Sequence, residues 1–254
     1  MVIATDWARL LIVCVVFTAA AGAIAWFTGL TTPKPFINAA VRALLQLAAV
    51  SAVITFVLTH LGLTGVFLAV MAVVATATSA RRTGTGGRGA WVAAAILIGT
   101  VPALGLLIGL GLLPVQGIAL IPVGGILIGG AMTATTLSAR RALDTLKDRH
   151  GEYEAALALG FTEPTAVREL IRKPSAEALI PALDQTRTVG LVTLPGAFVG
   201  MLLGGAPVWQ AGALQIVVLL ALLAVEAAAV ATVVELVARG LVRRTSQAGE
   251  VRLT

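Results

Sequence analysis

Residues 210–238 read QAGALQIVVLLALLAVEAAAVATVVELVA, twenty-nine positions without a basic residue or a proline and with only two acids, Glu226 and Glu235. A helix of this composition has no continuous polar face to give to water, so it belongs inside a protein or a bilayer. It is also longer than the roughly 20 residues needed to cross a hydrocarbon core of about 30 Å. Stretches of the same kind recur upstream at about 7–30, 37–61, 63–80, 90–113, 115–138 and 188–204. Between them lie segments that stop a helix, such as Thr31-Thr32-Pro33-Lys34-Pro35 and the basic, glycine-rich turn at 81–89. The expectation is an all-α polytopic membrane protein with about seven transmembrane helices, built as a single transmembrane domain over residues 1–254.

Composition agrees. Charged residues make up 12% of the 254 positions and hydrophobic ones 58%, against about 25% charged in soluble domains. The basic residues sit in short segments between apolar stretches, which fits membrane orientation and gives no nucleic-acid surface. Cys14 has no partner for an intrachain disulfide and no metal-ligand spacing around it, and reads as a packing residue. The N-terminus carries Asp6 and Arg9 in place of a basic n-region, so it reads as the start of the first span and not as a removable signal.

Charge also sets the orientation. With seven crossings, seventeen of the eighteen Lys and Arg fall on one side and only Arg9 on the other. The basic side is the cytoplasmic one, which places the N-terminus outside and the C-terminus in the cytoplasm of a multi-pass protein of the cell (inner or plasma) membrane.

Residues 140–187 form the one substantial hydrophilic segment. It is too short for an independent enzyme domain and must serve the membrane part. Within it, 153–159 and 166–171 are amphipathic enough for short helices, broken by Gly160 and Pro164. No Gly-x-x-x-x-Gly-Lys-Ser/Thr occurs, so the chain has no phosphate loop with which to use ATP itself. His60 and His150, the only histidines, are far apart, and no Ser/His/Asp, paired-carboxylate or metal-ligand constellation points to catalysis.

The run Glu154-Ala155-Ala156-Leu157-Ala158-Leu159-Gly160 resembles the EAA loop of ABC importer permeases, a helix-turn-helix that docks into a separate ATPase. Alanines permit close helix approach, a glycine permits the tight turn, and charges such as Glu154 and Arg168 orient the lever. Two further stretches are more specific: residues 121–135 (IPVGGILIGGAMTAT) and 188–196 (TVGLVTLPG). With Arg42 to Gln46 in matching order, they resemble the signatures of FetB-type ABC transporter permeases, to which plant membrane proteins of aluminium tolerance are related. The resemblance implies a permease that moves a metal cation, iron by export, as a homodimer with ATP and Mg bound by a partner ATPase and no cofactor of its own. Gly130 stands where that family commonly has asparagine, and Ala197-Phe198-Val199 replaces a methionine-rich stretch.

The same residues have a reading from their chemistry. Gly125, Gly129, Gly130, Ala131 and Ala134 let helix backbones approach, and Thr133, Thr135 and Thr136 can bond across helices. Close packing alone accounts for them better than a substrate contact does. Leu194-Pro195-Gly196 should interrupt its helix, and freed carbonyls at membrane depth are tolerated only where buried or lining a cavity. Glu226, an acid amid apolar residues, is a functional suspect because its burial is costly; a structural hydrogen bond or a dimer contact explains it equally. Glu235 lies near the cytoplasmic end, and Asp184 and Arg187 are spaced to pair. Candidate coupling residues are therefore Glu154, Ala155, Ala156, Gly160 and Arg168. Candidate path residues are Gln46, Met132, Thr133, Thr135, Pro195, Gly196 and Glu226, with the metal ligands unknown. Two alternatives stand beside this reading: an ABC permease for an organic solute such as a nucleotide sugar, and a secondary transporter using Glu226.

The charge division makes a prediction about topology. Single cysteines at Thr64 and Gly205 should react with an impermeant thiol reagent from outside intact cells, and one at Gly86 should not. The reverse pattern would overturn the orientation.

Overall fold

The computed structural model describes residues 7–86 and 89–244. Asp6, Arg88 and Arg252, used above in reading the N-terminus and the charge division, lie outside the described residues. The described residues are helical almost throughout and divide by their contacts into two compact units, Met1–Thr59 and His60–Thr254.

The first unit holds α1 (Trp7–Phe27) and α2 (Lys34–Thr59). Gly29 ends α1 with φ +70, and the Leu30 N–H closes the turn onto the Ala25 carbonyl at 3.0 Å. Pro35 falls in the first turn of α2, where its missing N–H costs nothing. No residue of α2 is buried, an arrangement that suits a helix bathed in lipid, where apolar side chains need no protein cover. Gln46 is exposed on it.

The second unit holds α3 (Leu61–Thr83), α4 (Gly89–Gly109), α5 (Gly117–Asp148), α6 (His150–Ala158), α7 (Glu163–Ala176), a 3-10 turn (Glu177–Leu179), α8 (Ile180–Thr188), α9 (Gly196–Leu203) and α10 (Val208–Ala238). The long helices α5 and α10 make its most extensive contact, α3 packs on α5 and α4, and α4 packs on α10. Leu127, Ile128 and Ala131 of α5 meet Val92 and Ile96 of α4 and Leu222 and Val225 of α10 in one apolar core. Small residues set the spacing: a Cβ on Gly99 would stand 2.9 Å from the Val225 backbone, and one on Gly124 would stand 2.7 Å from a Leu68 methyl. The Thr136 hydroxyl donates to that of Ser79 at 2.9 Å, tying α5 to α3.

Six helices, α1 to α5 and α10, are long and apolar enough to cross a membrane. The stretch expected as a span at 188–204 is interrupted, as Leu194-Pro195-Gly196 suggested, and the break takes in the whole of 189–195. Ala178 packs with Ala134, Ala229 and Val230 toward one end of α10, whereas α10 begins at the other end with Val208. Between the two levels the chain must rise about 31 Å at 1.5 Å per residue. It does so through α8, an unwound stretch at 189–195, and the eight-residue α9. The stretch expected as the sixth span is thus two short helices joined by an unwound segment, and it begins eight residues earlier than expected. The cause is local. Val189 leaves helical geometry at ψ 134. Gly190 has φ +83, and its N–H donates to the Thr193 carbonyl at 2.8 Å. Pro195 keeps Leu194 out of helix and caps α9. Window hydropathy is blind to such a break.

Thr64 is 1% exposed within α3, so Leu61, at the exposed start of the helix, is the accessible position for labelling that loop. The packing of α4 on α10 predicts opposite results for two glycines in α4. Gly99→Ala must push the helices apart and should lower stability by about 1–3 kcal/mol. Gly105→Ala, with nothing within 4 Å of its Cβ, should be neutral or stabilising by up to about 1 kcal/mol. Thermal unfolding in one detergent compares them; equal losses would contradict the close approach at Gly99.

Candidate functional site

Two regions of the second unit carry most of the functional candidates. The first is the hydrophilic segment. α5 runs on to Asp148, and α6 and α7 form a helical hairpin turned at Gly160, whose φ of +89 only glycine adopts readily. The Gly160 N–H donates to the Leu157 carbonyl at 2.9 Å and the Phe161 N–H to that of Ala156 at 3.1 Å. Pro164 lies in the first turn of α7, so it starts this helix and does not break it. Both helices are longer than the stretches read from sequence, because polar flanks carry them on: His150 with Glu154 at 3.3 Å and Glu169 with Arg172 at 3.9 Å.

The hairpin is fixed to the membrane helices by α7. Ala166, Val167 and Ile171 are buried on one face. Val167 and Ile171 join Ala139, Ala142 and Leu143 of α5 and Val233, Val234 and Val237 of α10 in a second apolar core. Beside that core, Arg168 donates through Nη2 at 2.8 Å and Nε at 3.2 Å to the same carboxylate oxygen of Glu235, whose other oxygen accepts from Arg239. Arg168, expected to orient the lever, is thus engaged within the chain. Tyr153 of α6 lies near Glu163 of α7; burial first, and then the negative charge of Glu163, push its hydroxyl above the usual phenol range.

The hairpin's free end is apolar. Leu159 is 78% exposed and Phe161 46%, one on each side of Gly160. Glu154 and Ala155 are exposed and Ala156 is half-buried. Leu159 and Phe161 were not among the candidates. The signal for them is their place beside a turn glycine in an otherwise polar segment.

The second region is a cavity of about 300 Å3 between α5, α8 and α10. Gly129, Gly130 and Thr133 line it from α5, Pro181, Ala182 and Gln185 from α8, and Leu222 and Glu226 from α10. Glu226 is 7% exposed, and none of the cavity-lining residues is basic. Gly130 makes room for it: a Cβ there would collide with Leu222 and stand 2.7 Å from Glu226 Oε1. Thr133 donates to the Gly129 carbonyl at 3.0 Å and keeps its oxygen lone pairs free. Thr133 and Gln185 are exposed and mark the open side.

The structure therefore brings two of the path candidates, Thr133 and Glu226, to one cavity. Met132 packs against the apolar core, and Thr135 is buried with its hydroxyl unpartnered; neither lines the cavity. Pro195 and Gly196 begin α9 after the unwound stretch, and Gln46 belongs to the first unit. Gln185 was missed, since nothing in its local sequence marks it and only the fold carries it to Glu226. Asp184 and Arg187 pair at 3.7 Å on the exposed side of α8. Among the described residues no three His, Cys, Asp or Glu side chains cluster to hold a metal.

Comparison with known proteins adds the following. Residues 7–242 match the family described as uncharacterised protein family UPF0014. The UPF0014 membrane protein STAR2 of rice (Oryza sativa subsp. japonica) is 37% identical over 70% of this chain and 64% of its own length. Protein ALUMINUM SENSITIVE 3 of Arabidopsis thaliana is 36% identical over 70% of this chain and 66% of its own. The probable iron export permease protein FetB of Escherichia coli K12 is 34% identical over 51% of this chain and 50% of its own length. No solved structure matches the chain.

The link between hairpin and membrane helices is testable. Arg168→Glu and Glu235→Arg, each alone, should loosen α7 from α10 and speed chymotryptic cleavage at Phe161. The double swap should restore most of the protection. If the swap cleaves as fast as either single variant, the pair does not hold the hairpin.

Proposed function

The chain belongs to the UPF0014 family of membrane proteins, and from that premise we propose that it is the permease subunit of an ABC transporter. The observation that carries the proposal is the α6–α7 hairpin. It presents exposed Leu159 and Phe161 on a glycine turn, while its second helix is fixed by an apolar core and the Arg168–Glu235 pair to α5 and α10, two of the three helices that line the cavity. A knob that grips a partner and is firmly tied to transmembrane helices turns a movement of the partner into a movement of those helices. The partner is an ATPase on a separate polypeptide, which binds ATP and Mg.

The direction of the lever supports this division of labour. Pushing α7 displaces the Glu235 end of α10 and, through the 3-10 turn at Glu177–Leu179, the short helix α8. Both helices line the cavity, so one displacement alters it from two sides. The interrupted crossing supports the same reading, because discontinuous helices at membrane depth are a recurrent way to build a transport site. We place the hairpin and the C-terminus in the cytoplasm and the N-terminus outside, on the charge division. The permease works as a homodimer, since one chain offers one cavity and one hairpin.

The cargo we favour is a metal cation, iron first, moved outward; the relative whose printed name is probable iron export permease protein supports this choice. The cavity carries an acid and no basic side chain, which favours a cation over an anionic solute such as a nucleotide sugar. A secondary transporter driven through Glu226 would leave the exposed apolar hairpin without a role.

Gly160→Trp tests the proposal, because its φ of +89 strains any side chain and the indole would crowd the knob. The variant should insert in the membrane normally but lose ATPase binding, or bind it while hydrolysis no longer responds to cargo. Survival of both complex formation and cargo-stimulated hydrolysis would make the coupling role wrong.

A further inference from the structure

Glu226 is nine-tenths buried between α5, α8 and α10 with its carboxylate facing the cavity, and no basic side chain lines that space. A carboxylate in such a place needs a proton or a cation to balance it, since an uncompensated buried charge costs several kcal/mol. The surroundings are not those of a carboxyl sealed in a core. The cavity, about 300 Å3, is several times the roughly 30 Å3 that a water molecule occupies in the liquid. Its other polar side chains, Thr133 and Gln185, offer neutral oxygens from two further helices. Gly130 keeps the space open at the one point where any Cβ would press on Oε1.

We propose that this cavity binds one partly hydrated divalent cation of the oxygen-seeking kind, with Glu226 supplying the charge, Gln185 and Thr133 the neutral ligands and Gly130 the room. The inference takes its role in transport from the permease reading above. The donor set decides the class: carboxylate, amide and hydroxyl oxygens suit Mn, Mg or ferrous iron, and the lining holds no thiolate, thioether or imidazole for a thiophilic ion. A single carboxylate leaves a divalent ion half neutralised, so the site binds loosely and keeps waters on the metal. Gln185 lies on α8, the helix that follows the α7 lever, so it is the ligand that leaves when the lever moves.

The test is titration of the purified full-length chain in detergent with Mn2+ alone, without ATPase or nucleotide, following loss of the free-ion EPR signal. The wild type should bind one ion saturably. Glu226→Gln should weaken binding at least about tenfold, because changing even an outer-shell partner of a metal site costs 10–100-fold. Gly130→Ala should weaken it similarly, and Glu152→Gln, an exposed acid paired with Arg149, should leave it unchanged. Gln185→Glu adds a second carboxylate and should tighten binding about tenfold or more, a gain that misfolding cannot produce. Absence of saturable binding by the wild type, binding that survives Glu226→Gln, or a Gln185→Glu variant no tighter than the wild type overturns the site. Such a failure leaves the permease reading standing, because no ATPase is present, and failure of the Gly160 experiment would leave this site standing.

Discussion

The close approach of α5 and α10 is the constraint on which the rest of the second unit depends. Gly130 and Ala134 of α5 lie where larger side chains would collide with Leu222 and Glu226 or displace Ala178 and Ala229. In a bilayer, helices gain little from hiding apolar surface, because lipid tails are as apolar as leucine; association rests on close packing and on hydrogen bonds such as Thr136 to Ser79. Small residues on α5 therefore both hold the bundle and leave a gap at Gly129 and Gly130 where a buried acid faces open space. Packing and a substrate contact, which sequence reasoning set against each other for these glycines, are compatible here, because the residues that bring the helices close also line the cavity.

From that contact the structure runs in two directions. Toward the polar end, α5 and α10 take up α7 through Ala142, Val233 and Val237 and through the Arg168–Glu235 pair. The pair is about one-third exposed and contributes geometry more than stability. Its value is that two N–H groups on one carboxylate oxygen fix the angle at which α7 meets α10. In the other direction the chain passes from α7 through the 3-10 turn and α8, past Glu226, into the unwound stretch at 189–195. The hairpin and the cavity are thus neighbours along one continuous piece of chain.

The membrane class and most of the helices were legible because a span announces itself by length and composition, as residues 210–238 do. The glycine turn at Gly160 was legible for a local reason, and so was the break at Pro195, since both are written in backbone chemistry. What sequence could not give were relations between distant segments. Arg168 meets Glu235 across 67 positions, and no local pattern distinguishes such a partner from a site on another protein. Gln185 reaches Glu226 only because α8 follows α5 and α10 upward, and hydropathy placed the start of that crossing at Thr188 by averaging over the unwound stretch. Met132 and Thr135 were chosen for their ligand atoms within a motif, but helical phase turns one into the apolar core and buries the other away from the cavity.

The central claim, that this chain conducts a metal cation under the control of a separate ATPase, is tested most directly in sealed vesicles. Vesicles containing the chain with its ATPase, loaded with radioactive ferrous iron on the side corresponding to the cytoplasm, should release the metal when ATP and Mg are supplied to the ATPase. Vesicles without ATP, or with the permease alone, should retain it. ATP-driven loss of no iron and of no competing divalent metal, from vesicles in which the ATPase is shown to be bound and active, would contradict the account.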